Sequence, residues 1–104
     1  MIFRRGRFSE LIGRQLDLFE VDHADVIEEA SEKLAAYNRA DRDEAEELYG
    51  DYQLAIEAAT DRLAEFRDAY ARTLDEDDAE QYVYEFNRSV VERWRALALT
   101  IEES

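Results

Sequence analysis

Residues 41–74, DRDEAEELYGDYQLAIEAATDRLAEFRDAYARTL, decide the fold. The stretch has no proline and one glycine, Gly50. Its apolar residues recur in steps of three and four: Ala45, Leu48, Tyr52, Ala55 or Ile56, Ala59, Leu63, Phe66, Tyr70 and Leu74. That spacing lines one face of an α-helix. As one helix the run is about 50 Å long, at about 1.5 Å per residue, well beyond an average globular helix. Asp41 and Glu44 form a D-x-x-E capping pair at its start, and an acidic first turn suits the positive end of the helix dipole. Gly50 costs about 1 kcal/mol relative to alanine. The stripe keeps its phase across Gly50, so a continuous helix is expected there. The alternative is a break, with Asp51 capping a new helix.

On the C-terminal side, Leu74 to Asp78 reads as a tight acidic turn. Asp77 and Glu80 repeat the D-x-x-E signature and open a last helix over about 78–101. Two apolar stripes run along it. One is Ala79, Val83, Phe86, Val90 and Leu97; the other is Tyr84, Val91, Trp94, Ala98 and Ile101. A helix that is apolar on two sides has two neighbours. On the N-terminal side, Asp22 caps a helix over roughly 23–39 with Val26, Ile27, Ala30, Leu34 and Tyr37 as its stripe. Ser9 caps a shorter helix to about Phe19, with Phe8, Leu11, Ile12 and Leu16 on one face. Residues 1–7 read as a basic arm, flexible or folded back.

The whole is an all-α chain of one-domain length, 104 residues. Apolar residues make up 46%, enough to build a core despite the charge. Cysteine is absent, which excludes disulfides, thiolate metal sites and a cysteine nucleophile. No apolar run is long enough to span a bilayer, and no secretory h-region follows Met1, so the expected compartment is the cytoplasm. The net charge of −14 repels phosphate and anionic membranes over most of the surface. It is uneven: residues 1–14 carry +3 and the rest −17. Lys33 is the only lysine beside twelve arginines, a bias that either a GC-rich genome or a salt-adapted cytoplasm produces.

Laid end to end, these elements make a long antiparallel hairpin (about 42–74 and 78–101) with one or two shorter N-terminal helices packed on one end. The helix over 23–39 reaches only the first half of the long helix. The distal tip, where Leu63, Phe66, Tyr70 and Leu74 face Tyr82 and Phe86, is expected to be underburied. A second copy of the chain would cover it, so a homodimer is expected. Tyr84 and Trp94, on the second stripe of the last helix, join the expected interface, since tyrosine and tryptophan bury area while keeping a polar end.

Chemistry is sparse. Glu20-x-x-His23 has the i, i+3 spacing of a ferritin-like di-iron motif. The pair straddles a predicted joint, however, and His23 is the only histidine, so a solvated helix-start histidine is the simpler reading. Glu57, Asp61, Glu65 and Asp68 form an acidic row interleaved with arginines, which reads as a solvated face. There is no Gly-rich phosphate loop, no calcium loop and no triad that a lone histidine can complete. The arm, with Ile2, Phe3, Phe8, Arg4, Arg5 and Arg7, either folds onto the chain's own acidic body or meets another molecule. The expectation is a non-enzymatic helical adaptor or regulatory protein acting through apolar faces, with no cofactor and no direct nucleic-acid contact. A carboxylate-rich metal-binding protein and an acidic decoy that mimics nucleic acid are the alternatives.

Overall fold

The computed structural model describes residues 6–104. They form five α-helices and no strand: α1 (Ser9–Asp22), α2 (Ala24–Asn38), α3 (Ala45–Ala71), α4 (Glu76–Arg93) and α5 (Ala98–Glu102). The molecule measures 50 × 32 × 24 Å. The α3 rod, about 40 Å long at 27 residues, runs unbroken through Gly50. A Cβ at Gly50 would meet nothing within 4 Å, so this glycine is tolerated in the helix and is not needed for close packing.

Helices α3 and α4 form the expected antiparallel hairpin. Phe66 stacks on Phe86 and Tyr70 leans on Tyr82, so the contacts run in opposite chain directions. The turn between them closes through the Thr73 and Leu74 amides donating to the Tyr70 and Ala71 carbonyls. Helix α2 folds back along the first half of α3, and Tyr37 meets Tyr49 and Tyr52 near the connecting turn. In that turn Asp41 accepts from the amides of Asp43 and Glu44 at 3.1 and 3.2 Å. It caps as expected, but the regular helix starts only at Ala45.

Several boundaries differ from the sequence reading. Asp75, and not Asp77, caps α4: its extended backbone lets its carboxylate accept from the Asp78 amide at 2.9 Å. Asp22 ends α1, and His23 stands at the joint before α2 without a side-chain cap. The last helix does not continue to 101. It stops at Trp94 (φ −135°, ψ 87°), makes a 3-10 turn over Arg95–Leu97 and doubles back as α5. Thr100 then reaches Thr60 at 2.8 Å, and the Ser104 carbonyl accepts from Arg67 at 3.1 Å. No proline or glycine forces this reversal. It brings Leu97 and Ile101 into the core, where both are buried. Burying each contributes roughly 1.5–3 kcal/mol, more than the few helix hydrogen bonds the turn gives up.

The distal tip is not underburied. Helix α1 lies along α4, with Phe8 against Tyr82 and Phe19 against Trp94, and its Ile12, Leu16 and Phe19 are buried in one core with Leu63, Tyr82 and Phe86. The tip is thus closed within one chain, and no second copy is needed to bury it. The sequence pattern favours a second copy over α1 crossing back along the rod, but α1 does cross back. Fourteen residues span about 21 Å, enough to cover the seam.

The start of α1 is held from a distance. Ser9 makes no side-chain cap; the Glu85 carboxylate of α4 accepts instead from the Phe8 amide at 2.9 Å and the Arg7 amide at 3.2 Å. Gln81 also donates to it, and Arg7 pairs with Asp78. The described end of the predicted arm, Gly6 and Arg7, therefore lies on the chain's own acidic helix; residues 1–5 fall outside the described part. A Cβ at Gly6 would sit 2.3 Å from a Glu85 carboxylate oxygen. Glycine permits this approach, and three donors hold the carboxylate so that it cannot swing away freely.

Two stability measurements check this fold. Ile101→Ala is expected to cost about 2–4 kcal/mol in urea unfolding, the range for a fully buried isoleucine. On a straight 78–101 helix ending in solvent, the cost would be within about 0.5 kcal/mol. Gly6→Ala is expected to displace Glu85 and cost about 1–2 kcal/mol, as loss of a helix cap does, and the loss should shrink when Glu85 is already alanine.

Candidate functional site

The open apolar surface lies at the opposite end of the rod from where the sequence pattern places it. Helix α2 has no fully buried residue; its Val26, Ile27, Ala30, Leu34 and Tyr37 are all half-buried. Between α2, the middle of α3 and the reversed segment after Trp94 runs a groove. One lobe, about 250 Å³, is lined by Ile27, Leu34, Ile56, Trp94 and Leu97 among others. A second lobe, about 270 Å³, lies between α3 and the segment after Trp94, against Tyr49, Glu57 and Leu99. Tyr52, Ile56 and Ala96 line both, so the two lobes adjoin each other across these side chains. Leu99 projects at its rim, 79% exposed, and Tyr49 is 45% exposed.

The groove is a product of the chain reversal. Trp94 leaves α4 with its ring edge toward Phe19, and Arg95–Leu97 then cross beside α2 and α3. A straight last helix would leave no second wall. The clustered rings of Tyr37, Tyr49 and Tyr52, with centroids 5.2–6.5 Å apart, stiffen the far end of the α2–α3 hairpin.

Around this apolar floor the charge is strongly negative. Residues 24–60 carry eleven acidic and three basic side chains, a net −8 out of the chain's −14. Glu28 and Glu32 on α2 and Glu57 on α3 are exposed. Among the described residues, Glu57 and Arg95 are the only charged ones lining either lobe.

The residues singled out from sequence are placed as follows. Leu63, Tyr82 and Phe86 are buried inside the chain. Phe66, Tyr70 and Leu74 are half-buried and pack on the same core. Trp94 packs on that core too and reaches the groove. Tyr84 stands alone on the outer face of α4, 61% exposed. Sequence reasoning missed Ile27, Ile56, Ala96 and Leu99. The usable signal was the excess of apolar positions after Trp94, which one straight helix cannot bury together.

Glu20 and His23 do not come together around a common point with other donors. Glu20 accepts from Arg93 at 3.1 Å, and Asp17 pairs with the same guanidinium at 2.9 Å. The His23 ring stacks on Phe19, with centroids 4.6 Å apart, and its Nδ1 lies 3.4 Å from Arg62. No group of three or more histidine, aspartate or glutamate side chains able to hold a metal ion occurs among the described residues. In the acidic row, Glu57, Asp61 and Glu65 are exposed, while Asp68 pairs with the buried Arg67 at 2.8 Å. Arg67 also donates to Asn87 at 3.0 Å and to the Ser104 carbonyl, so its charge is fully engaged in tying α3 to α4 and to the chain end. No described helix is long and apolar enough to cross a membrane.

Among the described residues one titratable group, Tyr82, is displaced. Burial pushes the Tyr82 phenol well above its ordinary range, and its hydroxyl donates to the Gln15 side-chain oxygen at 2.7 Å. Tyr82 is sealed beneath α1 and is not open to a substrate. No protein-family model matches the chain, nor does any curated protein or solved structure.

The Tyr82 shift carries a pH dependence. In the unfolded chain the phenol ionises near pH 10; in the fold it ionises higher. The stability linked to its neutral form is complete below about pH 10 and is lost above it, with a slope approaching about 1.4 kcal/mol per pH unit. Tyr82→Phe is expected to lose about 1 kcal/mol at neutral pH with the Gln15 hydrogen bond. Its urea midpoint should then decline less steeply than wild type between about pH 10 and 11.5.

Proposed function

We propose that this chain is a non-enzymatic helical interaction protein and that the groove between α2, α3 and the Trp94–Leu99 segment is its working surface. The observation that carries the reading is an apolar trough of two adjoining lobes with Leu99 projecting at its rim. A concave apolar floor with a few polar groups at its edge is the usual form of a binding site. The groove lining contains no histidine, no cysteine and no pair of carboxylates, and its floor is aliphatic and aromatic. Such a lining suits the burial of another molecule's apolar side chains rather than proton or nucleophile chemistry. Aromatic residues at its centre, Trp94 and Tyr52, are the types that dominate interface energetics.

A photo-crosslinking residue placed at Leu99, with Tyr84 as the comparison position, tests this in the source cells. The expected result is a discrete adduct from 99 and none from 84. The purified partner should then bind Leu99→Asp at least about ten-fold more weakly than wild type, the effect of losing one well-buried anchor. Both positions are exposed, so circular dichroism and thermal midpoint should be unchanged. Adducts from 84 alone would place the working surface on the outer face of α4. An affinity untouched by Leu99→Asp would overturn the groove reading.

A further inference from the structure

The groove's surroundings have a chemistry of their own. The apolar lining contains two charged residues, Glu57 and Arg95, whereas the hairpin that forms its α2 and α3 walls carries −8. Glu28 and Glu32 lie four apart on α2, on one side of that helix and exposed. Glu57 borders the second lobe from α3. An occupant must therefore be apolar where it enters the trough and positive where it rises out of it.

We propose that the occupant is a basic amphipathic α-helix of another protein, an inference that rests on the groove being a docking site. The two adjoining lobes, about 250 and 270 Å³, each hold one or two aliphatic side chains, and a helix presents such anchors one turn apart. Lysines or arginines beside those anchors meet Glu57 at the second lobe and the negative field of the α2–α3 hairpin, to which Glu28 and Glu32 contribute. Complementary charge steers the encounter and rejects wrong partners. A second copy of this chain meets the opposite condition. Seating one hairpin in the other's groove sets −8 beside −8, a net figure that already includes Lys33, Arg39 and Arg42. Arg95 marks the one place along the lining where the partner helix is expected to carry an acidic or neutral residue.

The test uses two synthetic helices of about 18 residues, enough for five turns. Both carry leucines at i, i+3, i+4 and i+7 and no tryptophan; one has lysines on its flanks and the other glutamates. Full-length protein is titrated with each, following the single tryptophan, Trp94, in the groove wall. The lysine helix is expected to bind at least about ten-fold tighter than the glutamate helix at about 50 mM salt, with the gap narrowing several-fold at about 300 mM. Glu28→Lys, Glu32→Lys and Glu57→Lys combined should remove the preference, while Leu99→Asp should weaken the lysine helix. Equal affinity for both helices, sensitive to Leu99→Asp, would overturn the basic-partner inference and leave the interaction reading standing. Lysine-helix binding insensitive to Leu99→Asp would show charge attraction away from the groove and overturn the inference. Failure of both helices to bind would overturn it as well, and the crosslinking result would then decide the groove reading on its own. Sedimentation without peptide identifies the remaining occupant: a dimer dissociated by Leu99→Asp would mean that a second copy fills the trough.

Discussion

Everything else in this molecule depends on the seating of α1 over the seam between α3 and α4. Ile12, Leu16 and Phe19 meet Leu63, Tyr82 and Phe86 there and complete a single core. Two helices alone have only one shared line of contact, so neither can bury a wide apolar face. The third helix converts a seam into an interior. Once it is in place the distal half of the rod is closed, and whatever apolar surface remains must appear at the other end.

That contact needs α1 to start in the right place, and the start is set from α4. The Glu85 carboxylate satisfies two backbone amides that α1 cannot satisfy itself. A carboxylate at a helix N-terminus is also favoured by the helix dipole. Gly6 lets the chain pass close enough for this to happen. The interaction links residues nearly eighty positions apart, so it rewards the folded state and no local segment. The long acidic stretches are then accommodated by facing water along the rest of the rod, with only a few ion pairs among them.

The proximal hairpin has no such third layer. Helix α2 covers one side of α3 only partly, and the segment after Trp94 turns back before it closes the gap. The trough between them is what the packing leaves over. Its position beside the most acidic third of the chain gives it both an apolar floor and a negative surround, and those two properties together define the kind of molecule that fits.

Much of this could be read in the residues. The phase of the apolar stripe from Ala45 to Tyr70 determined the long helix, and its continuity outweighed Gly50 because one glycine costs about 1 kcal/mol against a whole packed face. The absence of proline, the apolar spacing and the acidic turn before α4 determined an all-α chain with an antiparallel hairpin. Three things were decided only by the tertiary structure. The reversal at Trp94 has no proline, glycine or capping signal, only an excess of apolar positions: Arg-Ala-Leu-Ala-Leu is good helix sequence, and the turn exists because Leu97 and Ile101 gain more by entering the core than the helix loses by ending. The cap on α1 comes from Glu85, far along the chain, where no local capping pattern can point. The open groove follows from both, since whether a stripe is core or surface depends on which neighbour reaches it: for Leu63 and Tyr82 that neighbour was α1, while Ile27 is covered only in part and Leu99 stays exposed.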